Sequence, residues 1–200
     1  NTLVMPAIEA KTPRVELRKG RASDAPFIAD AVLAAMGYDI FNPELPADAE
    51  TSFGPIFAVR DALIKVCSKE DKLYSWKNTT VATFCGKTAG AIVSYDGGSY
   101  KETAERTFAL MAKLLNTEKP EPGSETGEGE YYLDSLNGAS AALMQNALAE
   151  AEALGYEKVT LLVDEKKPHL HRLYKKLGFE FGDVVLFFGE PYIRMFQYLR

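Results

Sequence analysis

Residues Tyr131–Phe179 read YYLDSLNGASAALMQNALAEAEALGYEKVTLLVDEKKPHLHRLYKKLGF, and the order of elements in this run decides the fold. YYLDSL is apolar and β-prone, and Asn137-Gly138 breaks it. From Ala139 to Leu154 the apolar residues Leu143, Met144, Ala147, Leu148, Ala151 and Leu154 recur at spacings that place them on one face of a helix. Gly155 follows where a helix end needs a residue that accepts positive φ. VTLLV is a continuous run with valine at both ends, suited to a parallel strand covered on both faces. Strand, helix and strand in this order predict a βαβ unit with a right-handed crossover. Pro168 then opens a further helix at a position that tolerates its missing N–H. Leu170, Leu173, Tyr174 and Leu177 mark that helix's buried face, and Gly178 ends it.

The flanking sequence extends the unit. Val15–Lys19 alternates apolar and charged residues and predicts an edge strand. Ser23 or Asp24 can cap the next helix, Pro26 fits its first turn, and Phe27, Ile28, Ala31, Val32 and Ala35 form its apolar face before Gly37. Tyr38–Ser52, with its prolines and acids, reads as an irregular connection, and Ser52–Cys67 as a second helix. Thr79–Cys85 and Thr88–Tyr95 predict a hairpin turning at Gly86-Lys87. Tyr100–Leu115 has helical periodicity. EKPEPGSETGEGE, 118–130, is too rich in Glu, Gly and Pro to bury apolar surface and reads as a flexible acidic loop. Together these form an insertion at about 96–130. Phe179–Phe188 and Tyr192–Leu199 read as two strands joined through Gly189-Glu190-Pro191. The fold class is α+β, a mostly antiparallel mixed sheet with one parallel strand pair and helices on both faces. Residues 1–13 read as a lead-in and 14–200 as one domain.

Composition narrows the function. Two hundred residues with 46% hydrophobic content suffice for one substantial core. A net charge of −5 and a pI near 5.2 argue against general nucleic-acid binding. The acidity suits a soluble enzyme that accepts a cationic amine, although many soluble proteins are acidic. No apolar run is long enough to span a bilayer, and no signal-peptide pattern opens the chain. Cys67 and Cys85 lack metal-ligand spacing and read as buried reduced thiols in a cytoplasmic protein. His169 and His171, two apart at a helix start, point to different faces and do not make a metal pair.

Four stretches together resemble the GNAT superfamily of acyl-CoA-dependent N-acetyltransferases. VELRKGRASDAPFIADAVLAAMG is similar to its opening strand and helix, and VATFCGKTAGAIVSYDG to its central hairpin, with Gly90 where glycine is common. YYLDSL and NGASAALMQNALAEAEALGY are similar to the cofactor-binding strand and helix, and PHLHRLYKKLGF to the closing helix. The resemblance implies acetyl-CoA as cosubstrate, a primary amine of a small molecule or peptide as acceptor, and no metal. The family's phosphate loop reads Val-x-Pro-x-x-Arg-Gly-x-Gly-x-Gly/Ala. Asn137-Gly138-Ala139-Ser140 matches its last four positions, but the Val-x-Pro-x-x-Arg-Gly part is absent and Leu136 runs straight into Asn137. Either the loop is deleted, or residues of a mobile loop are missing from the sequence at this point; the intact flanks favour the second.

The chemistry concentrates in three places. The helix start at Gly138–Ala141 offers free N–H groups and a favourable dipole to an anion, or is a tight turn that binds nothing. The resemblance makes Leu136, Asn137, Gly138, Ala139, Ser140 and Ala141 the cofactor-binding segment. It adds Lys167, which stands where the family often has Asn. Tyr174 belongs by spacing to a buried helix face; the matching tyrosine of the family protonates the leaving thiolate. Asp134 is a charge within an apolar strand and needs a partner or a task. Arg18 or Lys19 could pair it, whereas the resemblance makes it the base for the ammonium, with Tyr132 on the same face. The C-terminal strands are candidates for a homodimer contact. The alternative to an enzyme is a non-catalytic GNAT-like module that binds acyl-CoA or a protein.

Overall fold

β6 (Glu130–Asn137), α4 (Ser140–Ala153) and β7 (Lys158–Asp164) form the βαβ unit, with β6 and β7 paired in parallel. The computed structural model describes residues 12–121 and 123–199, so the expected lead-in lies almost wholly outside the described residues. Around the unit stand β1 (Val15–Lys19), α1 (Ala25–Ala35), β2 (Glu50–Thr51), β3 (Gly54–Pro55), α2 (Ile56–Cys67), β4 (Thr79–Phe84), β5 (Lys87–Asp96) and α3 (Tyr100–Leu115). After it come α5 (Pro168–Lys176), β8 (Glu180–Phe187) and β9 (Glu190–Tyr198). Seven strands make one sheet in the order β1-β4-β5-β6-β7-β9-β8, while β2 and β3 pair separately. Apart from β6–β7, the strand pairs are antiparallel.

The sheet separates two apolar clusters, as the period of two along each strand requires. On one face α1, α2 and α3 cover Val93, Tyr95 and Tyr132 with Ile28, Val32, Leu63, Val66 and Phe108. On the other, α4 and α5 cover Ile92, Tyr131, Leu133, Leu161 and Met195 with Leu143, Met144, Ala147 and Tyr174. The helix face expected from Leu143, Met144, Ala147 and Ala151 is fully buried, whereas Leu154 lies beyond the helix and is 64% exposed.

Local chemistry shifts three boundaries. Ser52–Pro55 is not helical: Thr51 Oγ1 accepts the Phe53 N–H at 3.0 Å and donates to the Gly54 carbonyl at 2.9 Å, closing a tight turn. Gly54 has φ +127, and α2 starts only after Pro55. The first hairpin turns at Cys85-Gly86, with Phe84 opposite Lys87 and both turn residues at positive φ, so Cys85 is exposed at the turn whereas Cys67 is buried as expected. That is the mirror-image turn whose twist matches the strands. Phe188-Gly189 repeats it between β8 and β9, leaving Glu190 and Pro191 in the strand.

Two irregularities position the site. In the β5–β6 register Ser94 faces Leu133 and Val93 faces Ser135, so Asp134 is an extra residue in a β-bulge. Bulges bend a strand and re-aim the side chains beside them. The β6–β7 ladder runs from Glu130–Lys158 to Leu133–Leu161. Beyond it β6 stays with β5, Leu136 facing Ile92 and Asn137 facing Ala91, while β7 stays with β9. β6 is continuous through Leu136 and Asn137, and Gly138-Ala139 is the whole connection to α4.

Candidate active site

Where β6 and β7 part, a cleft of about 280 Å³ opens between the bulge on β6, the start of α4 and the start of α5. Asp134 and Tyr174 both line it. So do Leu136, Asn137, Gly138, Ser140 and Lys167; Ala139 and Ala141 belong to the same turn and helix start but do not line it. Lys167 occupies the N-cap of α5. His169 lies at the cleft, while His171 contacts the Asp164 carbonyl through Nε2 at 2.9 Å and packs edge-on against Phe181.

Asp134 does not pair with Arg18 or Lys19. Arg18 forks onto Asp24 at 2.7 and 2.9 Å, and Lys19 reaches Glu150. Asp134 instead accepts hydrogen bonds from the Tyr95 hydroxyl on one oxygen and from the Ser135 hydroxyl, at 3.3 Å, on the other. Burial raises its pKa to about 6 against the pull of these two donors. It is partly exposed and lines the cleft. A carboxylate so placed is ionised near neutrality yet more basic than an exposed aspartate.

Tyr174, 7% exposed, sits on the α5 face that the leucine spacing predicts, edge-on to Phe179 at 6.3 Å. Burial pushes its phenol up to about 12, so it is protonated at neutral pH.

The acidic segment is where the sequence reading fails most. Its Glu125 is only 5% exposed and lines the cleft, although the composition predicts no burial there. The Tyr132 hydroxyl donates to Glu125 Oε2 at 2.9 Å. Arg194 of β9 donates to the carbonyls of Glu125 and Ser124. The Thr126 hydroxyl donates to Glu130 at 3.0 Å, and Gly97 leaves no room for a Cβ beside Thr126 and Gly127. Burial, then the neighbouring Asp134 charge, raises the Glu125 carboxyl to about 8. Nothing in the composition of 118–130 marks Glu125. The available signal was on a distant strand, where Arg194 interrupts the apolar run of β9 and needs acceptors.

The start of α4 is shaped for an anion. Its N-cap, Ala139, has φ +45 and no capping side chain, so the first N–H groups of a fourteen-residue helix have no side-chain acceptor. Gly138, at φ +73, packs so tightly that an added Cβ would stand 2.2 Å from the Ala89 carbonyl oxygen. Gly90 would meet the Gly138 carbonyl oxygen at 2.4 Å in the same way. The turn is thus closed onto β5 by two glycines in contact. Among the described residues no group of three or more His, Cys, Asp or Glu is placed to hold a metal ion, and no helix is long and apolar enough to cross a membrane.

No protein-family model matches the chain, and no curated protein matches it in sequence. Solved structures do match. An N-acetyltransferase from Staphylococcus aureus Mu50 superposes with a TM-score of 0.70 at 23% identity, over 90% of this chain and 99% of that one. A Drosophila melanogaster polyamine N-acetyltransferase that forms N-acetylagmatine gives 0.55 at 15% identity, over 93% and 100%. An acetyltransferase of the GNAT family from Desulfovibrio desulfuricans gives 0.52 at 16% identity, over 92% and 99%. The fold is that of the GNAT acetyltransferases.

Proposed function

We propose that this chain, with its GNAT fold, transfers an acetyl group from acetyl-CoA to a primary amine by direct attack within a ternary complex. The observation that carries the reading is that Asp134 and Tyr174 line one cleft at the parting of β6 and β7. Asp134, directly or through a water, takes the proton of the substrate ammonium. The freed nitrogen attacks the thioester carbonyl, and the β6 backbone beyond Leu133, which has no β7 partner, offers N–H groups to the oxyanion. As the N–C bond forms and the C–S bond breaks, Tyr174 gives its proton to the leaving thiolate. Leu136 and Asn137 would pair with the amide arm of the cosubstrate. Gly138, Ala139, Ser140 and Ala141 would present N–H groups to its phosphates, and Lys167 would add a cation at the rim. The free thiols of Cys67 and Cys85 support a cytoplasmic setting. Phe181, Val184 and Leu186, exposed on the edge strand β8, support a homodimer contact.

A second reading, a non-catalytic module that binds acyl-CoA or a protein, draws on one observation. No Arg-Gly loop stands between Leu136 and Asn137, and the turn is closed onto β5. Peptide sequencing of the natural protein across this junction shows whether a loop intervenes. Release of free thiol from acetyl-CoA over a panel of primary amines tests the enzyme. Tyr174→Phe should lower kcat by about 10²- to 10⁴-fold; wild-type turnover would remove Tyr174 from the mechanism. Binding of acetyl-CoA without thiol release on any amine would favour the module.

A further inference from the structure

We infer that the acceptor carries a second cationic centre, and that Glu125 binds that charge while Asp134 receives the reacting ammonium. The inference rests on the acetyltransferase reading and names the substrate class for the same cleft. The two carboxyls are held at the tips of neighbouring tyrosines: Tyr95 donates to Asp134, Tyr132 donates to Glu125, and the two rings lie 5.7 Å apart. Neither carboxyl has a cation in contact among the described ion pairs. Arg194 spends its donors on the Ser124 and Glu125 carbonyls and on Asp183. A buried carboxyl with no counter-charge is unfavourable unless it has a task.

A second observation lies beside the same carboxyl. The Tyr100 hydroxyl, in a residue only 3% exposed, approaches the Glu125 carboxyl but makes no hydrogen bond of normal geometry. Its ring stands 6.3 Å from that of Tyr132 and 6.5 Å from that of Tyr95. Tyr74, Tyr132 and Tyr192 line the cleft beside the carboxyls and offer aromatic surface to a cation. Anchoring the loop does not require a carboxyl here, because Arg194 grips its backbone and Thr126 ties its end. A dicationic amine would bring one cation to each carboxyl. The groups that set the protonation of Glu125 are Asp134, Tyr132, Tyr100 and Arg194, with Tyr74 nearby. In the free protein Glu125 holds a proton that a bound ammonium would displace, so binding at neutral pH should release a proton.

The test is calorimetric and needs no turnover. α,ω-Diamines of three to six carbons and the matched monoamines are titrated into the protein at pH 7, in buffers of different ionisation heat. At least one diamine should bind more tightly than its monoamine by about tenfold or more, with buffer-dependent heat reporting proton release. In Glu125→Gln, which keeps an acceptor for Tyr132, that preference and the proton release should both disappear. Wild-type protein that binds no diamine more tightly than its monoamine overturns the inference, even where monoamines are acetylated. A preference that survives in Glu125→Gln overturns it too. Diamine binding with proton release but no acetyl transfer would leave the cation site standing and sink the enzyme reading alone.

Discussion

Replacing Glu125 by glutamine should change how the stability of the free protein depends on pH, and the sign follows from the burial of the carboxyl. Its folded pKa is raised above that of an unfolded glutamate, to about 8. The folded state therefore keeps a proton that the unfolded chain has already released. The stability tied to that proton is complete below the ordinary glutamate range and is lost as pH rises through the folded value. The slope reaches about 1.4 kcal/mol per pH unit for one group. From pH 5 to pH 7 this amounts to roughly 3 kcal/mol, a sizeable part of the 5–15 kcal/mol typical of a domain. The substituted amide would keep an acceptor for Tyr132 and could turn toward the orphaned Tyr100 hydroxyl, so the fold has no reason to lose the loop. Urea unfolding at pH 5, 6 and 7, followed through the single tryptophan, Trp76, measures the slope. The wild type should weaken steadily over this range, and Glu125→Gln should weaken by less than half as much, the remainder coming from Asp134. A wild-type profile that is flat, or parallel to that of the variant, would refute the assignment of Glu125 as a buried carboxyl that ionises with difficulty.

Asp134→Asn should lower kcat/KM by about 10²- to 10⁴-fold and remove an acid limb near pH 6 from the rate profile; activity within about threefold of wild type would rule out the base. Gly138→Ala forces a Cβ to within 2.2 Å of the Ala89 carbonyl oxygen at a φ of +73. It should cost on the order of 1–3 kcal/mol of stability, and an unchanged urea midpoint would mean that the turn does not press on β5. Asp24→Asn breaks a fork that holds both Arg18 nitrogens and the Arg21 N–H at 2.7 to 2.9 Å. The hydrogen bond from Arg18 keeps the Asp24 pKa below its usual value against its burial. Its contribution, about 1–3 kcal/mol, is therefore present above the ordinary aspartate range and lost as pH falls through the depressed value. Convergence of wild type and Asp24→Asn in urea as the pH drops below about 4 would show this, and a constant difference would contradict it.

The fold was legible because its signals are local. Leu143, Met144, Ala147 and Ala151 fix the buried face of α4 by spacing alone, and the valine-flanked run at 159–163 fixes β7 as an interior strand. Turns were less legible. The hairpin turns of the main sheet, β4–β5 and β8–β9, each place a non-glycine, Cys85 or Phe188, in the left-handed region before the glycine. Reading Gly86 and Gly189 as first turn residues therefore displaced each turn by one position. At Ser52–Pro55 the apolar periodicity of α2 extended formally upstream, but a threonine hydroxyl and a proline without an N–H favour a turn there. The charge of Asp134 was visible in the strand, whereas the bulge that sets it apart depends on pairing with β5, which no single strand encodes.

The acidic segment shows the limit of composition as a guide. A run rich in Glu, Gly and Pro averages to a chain that water keeps unfolded, and the averaging hides the one side chain that decides the outcome. Glu125 is enclosed because its neighbours do what apolar residues would otherwise do. Arg194 binds the loop's carbonyls, Thr126 and Glu130 close its end, and Gly97 allows the backbone to approach. Arg194 on β9 and Gly97 at the end of β5 are far away in sequence, so no window along the loop contains them. The same arrangement then explains why the site is acidic. A loop anchored through its backbone leaves its carboxyl without an ion pair among the described residues, and an ionised buried carboxyl next to Asp134 is costly until a cation arrives. The fold of the βαβ unit locates the cleft, and the 118–130 segment contributes Glu125 to its lining.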